Sequence, residues 1–170
     1  MSKATNQLSK FTLGLSNTVK DAIDRVQMDR LGKFTVDLIV KRTRLGYGVD
    51  ANNATKSPLA RLSDKYVKRR KTFADLSATT RPKKSNLTLT GQMLASVQHK
   101  YKSKGVVIIE PTGTRRDGQK NLDIAKYNAE RSPSRIFNRI SGLEFAQIMR
   151  YYRKTFGDLV KKSSKGRLIR

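Results

Sequence analysis

The stretch that most constrains the fold is Ser141-Gly142-Leu143-Glu144, together with the eighteen or so residues after it. A Ser three residues ahead of a Glu has the make-up of a capping box, in which each side chain satisfies a backbone N–H that the first helical turn leaves unpaired. Behind it Phe145, Ile148, Met149, Tyr152, Phe156 and Leu159 recur three or four residues apart, while Arg150, Arg153 and Lys154 fall off that stripe. An amphipathic helix is therefore expected from the cap to about Lys162, and its stripe needs another layer to lie on. The rest of the chain has to supply that layer.

The best strand signal is Val106-Val107-Ile108-Ile109, opened by Gly105 and closed by Pro111. Gln98 to Lys102 alternates towards Tyr101, so the two runs read as a β-hairpin turning around Ser103-Lys104-Gly105. Ahead of them Leu89, Met93, Leu94 and Val97 can share one helical face, with Thr88 or Thr90 as cap. A long N-terminal helix is expected over about 16–42, capped by Ser16 or by Thr18 with Asp21. Val19, Ile23, Val26, Phe34 and Leu38 line its apolar side, and the β-rich run 35–40 weakens its end. Residues 46–58, with Gly46, Gly48 and Pro58, read as a turn-rich loop. A short basic helix comes next, with Leu59, Leu62, Tyr66 and Phe73 along one side. Residues 74–87, around Pro82, read as irregular, 112–120 as an exposed loop with an Asp117-Gly118 turn, and 121–130 as a short helix. The expected class is α+β. One domain over 1–162 has a small antiparallel sheet, a β-hairpin core, packed by the long N-terminal helix and the C-terminal amphipathic helix. Within it the core spans 59–162, and 163–170 is a basic C-terminal tail.

Charge decides what such a domain has to meet. The 170 residues carry 37 Lys and Arg against 13 Asp and Glu, a formal net charge of +24. Self-repulsion of that size opposes compactness in isolation and calls for a counter-charged partner, a phosphate backbone or an acidic protein surface. The excess concentrates in residues 61–85, with nine basic and two acidic groups, and in 131–170, with eleven and two. Lys68, Arg69, Arg70 and Lys71 form the densest run, and Arg115 and Arg116 stand in the exposed loop. These six are the candidate contacts to DNA or to an acidic partner, against the plainer reading of a solvated helix face. Aromatic interleaving is thin, with Tyr66 and Phe73 spaced as core-facing anchors, and no helix-turn-helix, zinc-finger or RNP pattern is present.

Chemistry for catalysis is scarce. His99 is the single histidine, it falls in an expected strand, and with no cysteine in the sequence nothing completes a metal site around it. Ser96 and Ser141 read as a helix residue and a helix cap rather than nucleophiles. Asp21, Asp24 and Asp29 are interleaved with Lys20, Arg25 and Arg30, the spacing of ion pairs along a solvated helix. The Thr112-Gly113-Thr114 run lacks phosphate-loop spacing. The chain is accordingly expected not to be an enzyme and to hold no cofactor. Met1 to Lys10 lacks a signal-peptide core, and no apolar run is long enough for a membrane span, so no membrane contact is expected.

Three segments carry a resemblance. Leu87-Thr88-Leu89-Thr90-Gly91-Gln92-Met93-Leu94-Ala95-Ser96-Val97 resembles the L-T-x-T/S-G-x-L-x-x-S-I/V stretch of the tailed-bacteriophage virion-morphogenesis proteins, which serve in the neck, in head–tail joining and in tail completion. Ser132-Pro133-Ser134-Arg135-Ile136-Phe137-Asn138-Arg139-Ile140-Ser141 is similar to the P-x-R-x-F-L-x-x-S run that introduces the last helix there, with Tyr127-Asn128 near a preceding Y-A/N element. Pro58-Leu59-Ala60-Arg61-Leu62-Ser63-Asp64-Lys65-Tyr66 looks like the upstream P-L-x-x-L-S-x-x-Y. Ile136 and Asn138 depart from the Pro and Leu usual in that family, and the basic loop 112–120 is a further departure. The resemblance spans roughly residues 58–160 and marks Thr90, Gly91, Leu94, Pro133, Arg135 and Phe137 as structural positions. It implies a ring-forming homo-oligomer of the virion neck, assembled in the host cytoplasm between a portal-side adaptor and tail-tube or tail-terminator proteins. Non-specific contact with genomic DNA is also implied, and no catalytic residue. The rival reading, on charge alone, is a basic nucleic-acid-binding module, ribosome-associated or DNA-binding.

Overall fold

The computed structural model describes residues 3–50, 56–72, 87, 91–130 and 132–165, with side chains from Ile23 onward except those of 160 and 162–165. The architecture is α+β. In order along the chain come α1 (Lys3–Arg44), β1 (Tyr47–Val49), β2 (Lys56–Pro58), α2 (Asp64–Arg70), α3 (Gln92–Ala95), β3 (Val97–Ser103), β4 (Val106–Pro111), α4 (Asn121–Glu130) and α5 (Gly142–Lys165). The strands form two separate antiparallel pairs, β1–β2 and β3–β4.

α1 begins well before Ser16 and buries most deeply a face beside the expected apolar stripe, of which Ile23, Phe34 and Leu38 are partly buried. Met28, Thr35, Ile39 and Arg42 point inward, with Gln27 and Thr43, whereas Val26 is exposed. Spacings of seven, four and three keep that seam on one side of the helix. The β-branched run does not end the helix because its members are held from both sides. Thr35 Oγ1 donates to the Leu31 carbonyl and Thr43 Oγ1 to that of Ile39, each at 2.8 Å, while Ile39 enters the core. Burial outweighs the small propensity deficit of such residues.

The expected loop at 46–58 contains the first hairpin, with Tyr47 opposite Pro58 and Val49 opposite Lys56. Gly46 turns the chain with a positive φ of 86°, and Leu59 N donates back to its carbonyl. At Gly48 the Ile136 carbonyl comes so close that a Cβ would overlap it, and Val49 N donates to that same carbonyl at 3.0 Å. The hairpin is thereby fastened to the segment that precedes α5.

The helix expected behind Thr88 or Thr90 is, among the described residues, the single turn of α3. Its N-cap, Gly91, is left-handed (φ 74°) and offers no side-chain bond, and Val97 leaves the helix to pair with Pro111 at the start of β3. Thr88, Leu89 and Thr90 lie outside the described residues, as do Phe73 and the expected irregular stretch 74–86, and the side chains of Val19 and Asp21. Ser96 ends the turn, its Oγ donating to the Met93 carbonyl.

The second hairpin runs from Val97↔Pro111 to Ser103↔Val106, with an irregularity between Tyr101 and Ser103. It lies along α1, and the carboxylates there are not a merely solvated row. Asp24 accepts from Tyr101 Oη and Gly105 N, and Asp29 bonds His99 Nε2 at 2.8 Å. Gly32 is where helix and strand come closest: a Cβ there would lie 2.6 Å from His99 Cδ2 and 2.8 Å from its Cβ. Gly32→Ala should gain about 1 kcal/mol of helix propensity and lose about 1–3 kcal/mol to overpacking, a net destabilisation on the order of 1 kcal/mol. In a His99→Gly background the whole clashing side chain, its Cβ included, is gone and the same change should stabilise. Urea titrations of the four proteins check this sign reversal, and a Gly32→Ala effect of the same sign in both backgrounds would refute it.

Ile39, Met93, Leu94, Val97, Ala125 and Phe137 make the core, between α1, α3, the second hairpin, α4 and the segment leading to α5. The capping box is present: Ser141 Oγ accepts from Glu144 N, and Glu144 accepts from Ser141 N and Oγ. α5 lies on α1 through Ile148, the Tyr151 ring stacked 4.2 Å from that of Phe34, and Gln27 Nε2 donating to the Tyr152 carbonyl and Thr155 Oγ1. This contact is offset from the sequence stripe. Phe145 and Phe156 consequently face outward.

Candidate functional site: a basic groove and an uncovered apolar face

Two surface features have the make-up of binding sites. The first is an open groove of about 880 Å³ walled by the start of α2, the loop 113–120, α4 and the segment 133–135. Each wall is locally specified. Ser63 N-caps α2, its Oγ accepting from Tyr66 N at 3.3 Å. In the loop, Thr114 bridges Lys120, Arg115 N donates to the Gln119 carbonyl at 2.8 Å, and Gly113 and Gly118 take positive φ. Asn121 Nδ2 ties the loop back to the Thr112 carbonyl at the start of α4. The buried Arg135 closes the groove from beneath, its Nε and Nη2 donating to the Ala60 and Arg61 carbonyls and its backbone N to that of Asn128.

Leu62, Leu87, Ile124 and Pro133 give the groove an apolar lining, edged by Tyr66 and Tyr127. Arg61, Arg115 and Lys120 contribute positive charge, offset by Asp123 in the lining and by Asp64 and Asp117, which lie beside Arg61 and Arg115. Tyr127 is 63% exposed. Arg115 Nη2 reaches Asp117 at 3.3 Å, while its Nε is buried without an acceptor.

The second feature is the outer side of α5. Phe145 is 58% exposed and Phe156 is exposed about three turns further along the same side, while Leu143, 68% exposed, lies on nearly the opposite side of the helix. Each forgoes part of the roughly 1.5–3 kcal/mol that burying such a side chain returns.

The basic run divides. Lys68, Arg69 and Lys71 are exposed, but Arg70 is only 2% exposed and is corrected from a surface contact to a buried residue. Burial lowers the Arg70 pKa from its ordinary value, partly opposed by Tyr66. The run sits at the end of α2, and the groove lies at its beginning. Arg116 is exposed beside Arg115, which is half-buried. Of the positions marked by the resemblance, Leu94 and Phe137 meet in the core, Gly91 caps α3, Arg135 is the buried latch and Pro133 lines the groove. Thr90 lies outside the described residues.

The groups considered for catalysis are engaged elsewhere. His99 is paired with Asp29, and Ser96 and Ser141 serve as caps. Among the described residues no three His, Asp or Glu side chains gather as a metal site, and no helix is long and apolar enough to cross a membrane. Arg42 is a structural centre with no sequence signal: its buried guanidinium bonds Glu144 and the Phe137 and Arg139 carbonyls. Burial pulls its pKa down and the Glu144 carboxylate pushes it back up.

No protein-family model, curated protein or solved structure matches the chain.

Proposed function

We propose that the protein is a structural component of a tailed-phage neck, one subunit of a ring that joins the head to the tail or completes the tail end. The observation that carries an assembly role is the apolar side of α5 where Phe145 and Phe156 stand out from a helix that has already found its packing on α1. Large exposed apolar residues gathered on one element mark interaction surfaces. The particular assembly rests on the resemblance over residues 58–160. Within it, Leu94 and Phe137 supply core packing and Arg135 a backbone latch, roles suited to structural positions.

Charge adds a condition. Copies carrying +24 each repel one another in a ring, so the ring needs counter-charge from DNA in its lumen or from acidic neighbours, a portal-side adaptor or the tail-tube and tail-terminator proteins. The protein then resides in the virion after assembly in the host cytoplasm.

Negative-stain imaging of particles made without this protein tests the reading. Filled heads and separate tails are the expected result. Normally joined particles would overturn it.

A further inference from the structure

The proposed neck role leaves open what the groove is for. Its lining combines features that neither a solvated surface nor a plain phosphate-binding patch requires. Leu62, Leu87, Ile124 and Pro133 offer an apolar bed, Tyr127 and Tyr66 stand at its edges, and Lys120 brings a cation to its rim beside Arg61 and Arg115, which also meet Asp64 and Asp117. At about 880 Å³ it has room for several side chains of an extended chain segment. Arg115, half-buried at the loop, holds a guanidinium that Asp117 shares at 3.3 Å, the kind of group that takes a carboxylate in paired hydrogen bonds.

We propose that this groove docks an acidic segment of a neighbouring protein that carries an apolar or aromatic anchor side chain. Charge complementarity selects the acid and the apolar bed selects the anchor. A second copy of the chain is a poor source, because it has 13 acidic residues against 37 basic and no two carboxylates adjacent in sequence. Nucleic acid fits less well. Contact with a phosphate backbone calls for cations on an accessible surface and gains nothing from an apolar bed. The exposed Lys68, Arg69 and Lys71, better suited to that contact, are not part of the lining. The inference rests on the assembly reading only in taking the partner to be a neighbouring structural protein.

The test uses the full-length protein and a fluorescein-labelled synthetic peptide of Asp and Glu residues flanking a Phe-Leu pair, followed by fluorescence anisotropy. Tyr127→Ser and Lys120→Gln alter exposed groove residues, and Lys68→Gln with Lys71→Gln removes charge outside it. Circular dichroism checks that each variant is folded. Tyr127→Ser should weaken binding on the order of tenfold, the scale of losing an aromatic anchor, as should replacing Phe-Leu by Ser-Ser in the peptide. Lys120→Gln should weaken it less, and the Lys68/Lys71 variant by no more than about twofold, as befits charges at the rim. Failure of the peptide to bind overturns the proposal, as does equal binding of the Ser-Ser peptide or an equal loss in the Lys68/Lys71 variant. A single-stranded oligonucleotide of matched charge that binds more tightly through Tyr127 would reassign the groove to nucleic acid. These outcomes are independent of particle imaging: joined particles without the protein would end the neck reading and leave peptide binding standing.

Discussion

Glu144→Ala is expected to destabilise the fold by about 3–5 kcal/mol, the cost of leaving a buried charge without its partner. Arg42 is 4% exposed, and its guanidinium bonds Glu144 and the Phe137 and Arg139 carbonyls. An arginine does not escape by losing its proton at neutral pH, even with its pKa lowered by burial, so removing the carboxylate strands a cation against two carbonyl dipoles. The same change removes the acceptor for Ser141 N and Oγ, weakening a cap commonly worth about 1 kcal/mol. Urea denaturation should show a lower midpoint with an unchanged slope. The double variant Arg42→Met/Glu144→Leu removes both charges and should recover the part of the loss due to the unpaired charge, but not that due to the Phe137 and Arg139 carbonyls and the Ser141 cap, which lose their partners. A Glu144→Ala protein within about 1 kcal/mol of the parent would mean that water reaches the pair and takes the place of the carboxylate.

Most of what is legible in the sequence is local. The capping box, the Val106–Ile109 strand, the turn at Lys104-Gly105 and the Asp117-Gly118 turn each depend on residues within a few positions of one another, and each is present. The most deeply buried face of α1 lies beside its apolar stripe because Gln27, Thr35, Arg42 and Thr43 look like surface residues until the rest of the chain covers them. Thr35 and Thr43 cover their own hydroxyls with carbonyls one turn back, and Arg42 meets partners about a hundred residues away. The helix expected to carry Val97 stops at Ala95 for a related reason. Val97 has a strand partner in Pro111, and pairing across a hairpin takes precedence over extending a helix by one weak turn.

The candidate site shows the same division. A run such as Lys68–Lys71 is visible in sequence as a charge cluster, but which of its members is buried is a tertiary fact, and Arg70 is the one turned inward. The groove has no sequence signature. Leu62, Arg115, Ile124 and Pro133 lie on four separate segments, and nothing in their spacing foretells a common wall. Tyr127 stands out in sequence only through its pairing with Asn128. Its 63% exposure is what makes that aromatic available as the proposed anchor contact. The mismatch on α5 has a cause of this kind too. Its apolar stripe is a genuine helical pattern, yet α1 offers Phe34 to Tyr151 and Gln27 to Thr155, rotating the helix so that part of the stripe remains outside.

Phe137→Ala is expected to cost about 3–5 kcal/mol, the range for truncating a buried aromatic. Its ring is fully buried in the cluster with Ile39, Met93, Leu94, Val97 and Ala125, where α1, the second hairpin and α4 converge. A cavity there cannot close readily, because the surrounding backbone is fixed on two sides. The Phe137 carbonyl accepts from Arg42, and the neighbouring Ile136 carbonyl accepts from Val49 N. Phe137→Leu, which leaves a smaller void, should lose distinctly less, and the difference separates a packing cost from a general intolerance of substitution. With small domains stable by about 5–15 kcal/mol in all, the alanine variant should retain little margin, and its urea midpoint is the measurement. It should not be additive with Glu144→Ala. Arg42 touches both the Phe137 carbonyl and the Glu144 carboxylate, so loosening one end of that latch lowers what the other end still contributes. The combined loss should fall short of the sum by about 0.5–3 kcal/mol. Strict additivity would mean that the core and the Arg42 latch are independent supports of the segment carrying Arg135, Phe137 and the α5 cap.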